Sequence, residues 1–313
     1  MSRTGDGMIQ ILLATWNSSR YLKEQLDSLF QQTNQDFELL IHDGGSTDNT
    51  LSLIEDYEKR YQGRIRFLGS HPCDACSNFA CLLEKADGDL FMFCDHDDVW
   101  LPNKIQRTLD SFRQAQKEYG EEEPLLVFTD SEITDRDMNT LSPSMMRSQK
   151  LNRSDFSPGR LIVQNSITGN VMLFNKALRD ISLPIPKEAL MHDYYLALAA
   201  AFFGKIIYLD EPLIRYRQHN ANVIGAFRYS LLNLIRKLLS DPWKLHQNIA
   251  RKVRQAAILL DSHSDLLKQK DLARFSALKN FENMGFLEKR VFFLRNKIRA
   301  EGFLRNLALY LFL

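Results

Sequence analysis

A chain of 313 residues with 44% hydrophobic and 25% charged side chains has the composition of a soluble globular protein with a large core. Its longest apolar runs, such as residues 196–203 (LALAAAFF), fall far short of the ~20 residues of a spanning helix. The polar start MSRTGDG shows no signal peptide, so a cytoplasmic or membrane-peripheral protein is expected.

The net charge of +1 hides an uneven distribution. Residues 221–313 hold 17 Lys and Arg against 7 Asp and Glu, which leaves 23 basic and 32 acidic groups in the first 220. A mildly acidic body carries a basic tail. An anionic membrane surface and a merely solvated helical face are both consistent with that tail.

In chain order, residues 8–15 (MIQILLAT) read as a buried strand. A helix over about residues 21–32 then carries Leu22, Leu26, Leu29 and Phe30 at helical spacing. Residues 37–42 (FELLIH) form a second strand, followed by a turn at 44–48 in which Ser46, Thr47 or Asp48 is available to cap a helix starting near Asn49. A short third strand is expected at 65–68, a helix at 78–85 and a fourth strand at 89–94 (DLFMFC). A helix over 101–119 opens with Pro102 in its first turn, and 125–129 (LLVFT) is a fifth strand.

Strands alternating with helices over short connections predict an α/β fold. The sheet is open, mainly parallel and covered on both faces. In such sheets ligands bind beyond the carboxyl ends of the strands. That rule selects Thr15-Trp16-Asn17, Asp43-Gly44-Gly45-Ser46 and Asp95-His96-Asp97-Asp98, each of which follows a predicted strand.

Three of the four cysteines cluster as Cys73, Cys76 and Cys81, and Cys94 precedes the acidic stretch. Without a second C-x-x-C or a spaced histidine pair, the group reads as reduced structural thiols rather than a zinc finger.

Six motifs carry a resemblance: LLATWNSSRYLKEQLDSLFQQT, LLIHDGGSTDNT, FCDHDDVWLPNK, TGNVMLFN, MHDYYLALAA and YRQHNANVIG. In this order, over residues 8–225, they resemble the family-2 glycosyltransferases, and most of all the rhamnosyltransferase-like branch of bacterial surface-polysaccharide transferases. The resemblance implies a GT-A fold, inversion at the transferred sugar, and a nucleotide-diphosphate sugar donor such as dTDP-L-rhamnose or a UDP-hexose. It implies a glycan or lipid-linked acceptor. It also implies that Asp97 meets a divalent metal, Mn²⁺ or Mg²⁺, while Asp95 holds the ribose or completes the metal shell. Asp98 is expected to orient the donor sugar or brace the loop, and with Val99, Trp100 and Leu101 it looks like the start of the next helix. Thr15, Trp16 and Asn17 match the segment that flanks the base. Trp16 as buried core is the alternative. Asp43 matches the acid that reads base or ribose, yet Gly44 stands where relatives carry a second acid. Asp193 in the acidic-pair position is the expected general base, with a helix-capping role as the alternative. His219 is the expected histidine near metal or diphosphate, whereas His96 occupies a variable position.

Chemistry supports the acidic stretch independently. A diphosphate leaving group needs its developing charge stabilised, and a divalent cation does so as a Lewis acid. Paired carboxylates suit such an ion and are tolerable together once it arrives. The Q-x-x-R-W of processive synthases is absent, as are a P-loop, a G-x-G-x-x-G fingerprint and a G-x-S-x-G elbow. No nucleic-acid partner is implied.

Residues 226–313 read as a basic helical region beyond a catalytic domain of residues 1–225. Helices are expected at 229–239, 243–267 and 291–313. The last has the profile of an interfacial helix on the inner face of the cytoplasmic membrane. Packing on the catalytic domain or a homodimer contact are the alternatives. A non-catalytic nucleotide-sugar-binding relative within a polysaccharide assembly complex is the alternative to an enzyme.

Overall fold

The computed structural model describes residues 7–219 and 242–313. The helix expected at 229–239, and the motif residues beyond His219, lie outside these.

Nine strands among the described residues form one sheet. In chain order its first half comprises β1 (Ile9–Thr15), α1 (Leu22–Phe30), β2 (Phe37–Asp43), α2 (Thr50–Arg60), β3 (Ile65–Ser70), α3 (Ala75–Lys85) and β4 (Leu90–Cys94). These four strands are parallel, in the order β3–β2–β1–β4. Every residue of β1 is buried, because a central parallel strand is covered on both faces, and this is why it reads as a continuous apolar run.

The second half is mixed. It contains β5 (Val99–Trp100), α4 (Lys104–Tyr119), β6 (Leu125–Thr134), β7 (Thr140–Ser142), α5 (Met145–Ser148), α6 (Pro158–Leu161), β8 (Met172–Asn175), α7 (Lys176–Ser182), α8 (His192–Phe203) and β9 (Lys205–Arg217). β8 runs antiparallel between β4 and β6, β9 lies parallel to β6, and β5 pairs antiparallel with β9 at the edge. The expected open, mainly parallel sheet is present, with antiparallel insertions that the strand–helix alternation did not reveal.

Two expected helices differ. Residues 98–101 do not begin a helix: Val99 and Trp100 pair with Arg215 and Ile214, and the Leu101 amide donates to the Leu213 carbonyl at 3.0 Å. Pro102 disfavours helical geometry in the residue before it, so the chain stays extended and α4 starts only at Lys104. The helix expected over 291–313 is broken into α11 (Phe286–Arg295) and α12 (Gly302–Phe312). Between them Lys297 has a left-handed φ of 53°, Ile298 is fully buried, and the Arg299 amide bonds the Gly159 carbonyl.

The C-terminal helices share the main core. Helix α9 (Pro242–Ser262) packs on α8 and contributes Val253, Ala256 and Leu259 to the core, and α10 (Gln269–Phe275) adds Phe275.

Among the described glycines, Gly204 at the joint between α8 and β9 leaves the least room for a side chain. A Cβ on Gly204 would lie 2.1 Å from the Pro124 carbonyl oxygen, which already accepts a hydrogen bond from Lys205. Both atoms belong to backbone and cannot step aside. Gly204→Ala should therefore lower stability by about 1–3 kcal/mol, read as a reduced urea midpoint, and an unchanged midpoint would contradict the packing argument.

Candidate active site

A cleft of about 1150 Å³ opens beyond the carboxyl ends of β1 and β4. Thr15, Trp16 and Asn17 line it from the end of β1, and Asp95, His96 and Asp97 from the end of β4. Thr168 and Gly169 contribute from the turn before β8, His192 and Asp193 from the start of α8, and Gln218 and His219 from beyond β9. Segments more than a hundred residues apart thus share one cavity.

Trp16 is 60% exposed at this cleft and is not core. Asn17 has a left-handed φ of 47°, and its side-chain oxygen accepts from the Thr47 amide at 2.9 Å, locking the two ligand-edge loops together. Asp43 lies outside the lining. It is fully buried and accepts from the hydroxyls of Thr15, Ser46 and Ser70 and from the amides of Gly45 and Ser46. Burial opposes its charge, but those hydrogen bonds outweigh burial and hold its pKa below the usual value. Its oxygens are occupied in bracing the loop.

Gly44 stands in a crowded place. A Cβ there would lie 3.2 Å from Asn78 Nδ2 and 3.3 Å from the Cys73 carbonyl, so the start of α3 fills the space of the second acid. Asp74, the N-cap of α3, lines the cleft on that side. The sequence pointed to this helix only from residue 78, whereas it begins at Ala75, so Asp74 was not singled out.

The acidic stretch divides into three environments. Asp97 is buried, and its Oδ2 lies 2.8 Å from His219 Nε2. The His219 ring stacks on Tyr21 at 5.0 Å, so the imidazole is held with the carboxylate rather than in open solvent. Asp95 is partly open to the cleft. Burial, then the charges of Asp97 and Asp193, push its pKa up. Among the described residues Asp95, Asp97 and His219 do not converge into a tight ligand cluster, whereas Asp97 and His219 meet directly. Asp98 stands behind the lining, fully buried, accepting from the Asn170 side chain and from the Arg217 amide at 3.2 Å. Burial, then Asp97 and Asp95, raise its pKa well above the ordinary range.

Arg217 ties these parts together. Its guanidinium donates to the Asp97 carbonyl at 2.9 Å and the Arg136 carbonyl at 2.6 Å, pairs with Glu24, and lies 4.5 Å above the Tyr21 ring. It is buried, whereas Arg215 pairs with Glu132 near the surface.

Asp193 occupies the first turn of α8. One oxygen accepts from the Gly169 amide at 3.0 Å and the other from the Tyr194 amide at 2.6 Å. Burial raises its pKa to about 6 against the opposing pull of those amides. A Cβ on Gly169 would come within 3.0 Å of His192 Nε2 and 3.3 Å of Asp193 Cβ, so glycine allows this approach. His192 beside it is 3% exposed, stacked on Phe79 at 3.9 Å and edge-on to Phe93. Neither of its ring nitrogens has a hydrogen-bond partner. A cleft that offers a poised carboxylate, a carboxylate–imidazole pair and an unpartnered neutral imidazole is equipped for proton transfer and cation binding.

The Glycosyl transferase family 2 profile matches residues 10–120. The chain is 28% identical over 224 residues to an uncharacterized glycosyltransferase of Nostoc sp., covering 68% of this chain and 66% of that protein. It is 27% identical over 245 residues to dTDP-rhamnosyl transferase RfbG of Shigella flexneri, covering 72% of this chain and 79% of that one. Its fold is similar to that of S. aureus TarS residues 1–349 in complex with UDP, with a TM-score of 0.56 at 17% identity over 86% of this chain and 69% of that one. It is also similar to the mannosyltransferase PcManGT from Pyrobaculum calidifontis in complex with GDP-Man and Mn²⁺, with a TM-score of 0.51 at 14% identity over 94% of this chain and 87% of that one. The shared architecture is the GT-A type expected from the motifs.

Burial lowers the His192 pKa from 6.5 to about 3. Its ring resonances should therefore stay those of neutral imidazole as pH falls from about 8 to about 4. The unfolded chain binds this proton near 6.5 and the folded chain only near 3, so stability declines as pH drops through that window. His192→Phe should remove part of the decline. A folded-state titration of His192 near pH 6 would contradict this environment.

Proposed function

We propose that the cleft binds a nucleotide-diphosphate sugar and transfers its sugar, with inversion, to an acceptor hydroxyl, a reading supported by the match of residues 10–120 to the Glycosyl transferase family 2 profile. The observation that carries this reading is the meeting of Asp95 and Asp97 with Asp193 in one cavity, Asp193 being tuned to about 6. A general base works best with a pKa near the operating pH. The acceptor hydroxyl loses its proton to Asp193 as its oxygen bonds the anomeric carbon, and the bond from that carbon to the diphosphate breaks.

Asp97, His219 and Asp95 would hold a divalent cation. The pairing of Asp97 with an imidazole, and the raising of the Asp95 pKa by burial and then by Asp97 and Asp193, fit such an ion. Two carboxylates with an imidazole suit Mn²⁺ better than Mg²⁺, which favours oxygen ligands. When bound, the ion neutralises charge on the diphosphate. Trp16 offers an exposed ring to the base, and Asp98 and Asp43 hold the loops that present these groups.

For the donor, the Shigella relative's name favours dTDP-L-rhamnose, and the TarS complex with UDP favours a UDP-sugar. A glycan or lipid-linked oligosaccharide of surface polysaccharide is the proposed acceptor. Asp193→Asn should keep donor affinity within a few-fold yet lose at least about a hundredfold in transfer rate. The parent's kcat/KM should fall as pH drops through about 6, where Asp193 takes up its proton. Stripping divalent metal should abolish donor hydrolysis. Undiminished turnover in Asp193→Asn would sink the assignment of the base.

A lipid-linked acceptor accords with the C-terminal surface. Phe303, Leu307 and Leu311 form an exposed apolar stripe at helical spacing on α12, and Leu287 and Leu294 are exposed on α11. The region is basic, and no helix among the described residues is long and apolar enough to cross a membrane. This supports peripheral binding at the inner face of the cytoplasmic membrane. Truncation near residue 225 is a poor test, since it removes core residues such as Val253 and Leu259. Instead, full-length protein should float with anionic vesicles, and the combined Phe303→Ser, Leu307→Ser and Leu311→Ser variant should not. Equal flotation, or a dimer lost in the variant without any lipid binding, would count against membrane attachment.

A further inference from the structure

Behind the α3 wall of the cleft, three side chains from separate segments of the chain converge. They are His42 from β2, His71 just after β3, and Cys81 from α3, and one ligand atom of each lies within 4.8 Å of the other two. His42 is buried, Cys81 is half-buried and His71 is exposed. His42 Nε2 stands 2.9 Å from His71 Nδ1, with the rings at 67°.

The neighbouring amide decides which nitrogen carries the proton. Asn78 Nδ2 donates to the Thr15 carbonyl at 3.2 Å, so its Oδ1 is the atom that faces His42 Nδ1 at 2.7 Å. His42 Nδ1 must then donate, leaving the Nε2 lone pair aimed into the cluster, where His71 Nδ1–H meets it. An imidazole fixed through its far nitrogen by a hydrogen-bond acceptor is the usual outer-shell arrangement of a metal-ligating histidine.

We propose that His42, His71 and Cys81 form a binding site for a borderline-soft divalent metal, zinc above all, with water as the fourth ligand. Two imidazoles and a thiolate match zinc and exclude the oxygen-seeking Mg²⁺ and Ca²⁺. Tetrahedral zinc at about 2.0–2.1 Å from each nitrogen separates the two nitrogens by about 3.3 Å, so the imidazoles part by only about 0.4 Å from the present contact. On binding, the Cys81 thiol releases its proton to solvent, and the His71 proton moves from Nδ1 to Nε2. No oxidant or reductant is involved. Exposed His71 gives the ion an entry path.

The site shares no residue with Asp95, Asp97 and His219, and it does not rest on the glycosyltransferase reading. Cys73 and Cys76, the C-x-x-C pair conspicuous in the sequence, are not ligands in this assignment. The metal would tie β2, β3 and α3 together, and Asn78, which orients His42, lines the cleft. It would therefore stiffen the cleft wall from behind.

The test uses full-length protein freed of metal by a chelator and titrated with Co²⁺, then Zn²⁺. One equivalent of Co²⁺ should produce thiolate-to-cobalt charge-transfer absorption, and Zn²⁺ should displace it and raise the melting temperature. His71→Ala, which changes an exposed side chain, and Cys81→Ser should each lose that absorption and weaken zinc binding at least about tenfold. Asp97→Asn and Cys73→Ser should retain both signals. Absence of a thiolate band, its survival in Cys81→Ser or His71→Ala, or its loss in Asp97→Asn would overturn the proposal.

Discussion

The constraint on which the site depends is the gathering of four carboxylates, Asp95, Asp97, Asp98 and Asp193, at one edge of the sheet. Like charges in a buried place raise each other's pKa, and a fold holds them only when each receives its own compensation. Asp98 is answered by Asn170 and the Arg217 amide, Asp193 by the amides of Gly169 and Tyr194, and Asp97 by His219. Asp95 differs, since burial, Asp97 and Asp193 all act to raise its pKa. Among the four, it is the carboxylate whose charge most needs a partner from outside the protein.

The same contacts explain how distant segments are held in register. Arg217 bridges the loop after β4, the turn after β6 and helix α1 through the Asp97 carbonyl, the Arg136 carbonyl and Glu24. Tyr21 packs against both the Arg217 guanidinium and the His219 ring, so one aromatic side chain of the first loop positions both. A buried arginine with several partners is costly to disturb, because removing any one of them leaves charge or donors uncompensated. The geometry around Asp97 is thereby coupled to residues near both ends of the sheet-forming chain.

Much of this was legible from residue order alone. Buried parallel strands such as β1 and β4 announce themselves as continuous apolar runs, and the polar residues that follow them fall at the ligand edge by the topology of such sheets. Asp95 and Asp97 were singled out in this way, Asp193 and His219 only through the resemblance of their motifs, and the structure lines one cleft with all four. Asp43 and Asp98 were also singled out, yet both stand behind the lining as loop braces. Sequence position identifies an acid at a strand end but not which way its carboxylate turns. The short β5 was missed because its pairing partner, β9, lies more than a hundred residues away and Pro102 mimicked a helix start.

The sequence by itself determined the fold class, the edge of the sheet that carries chemistry, and the kinds of side chain available there, since strand periodicity and motif order are local properties. The tertiary structure decided the rest. It set Trp16 at the cleft instead of in the core, filled the space beside Gly44 with the start of α3, and buried His192 without a partner. It also brought His42 and His71 to Cys81, although the sequence drew attention to a different cysteine pair. These outcomes depend on long-range packing and on which hydrogen-bond partners remain once the backbone is satisfied, and neither is encoded in any short stretch of the chain.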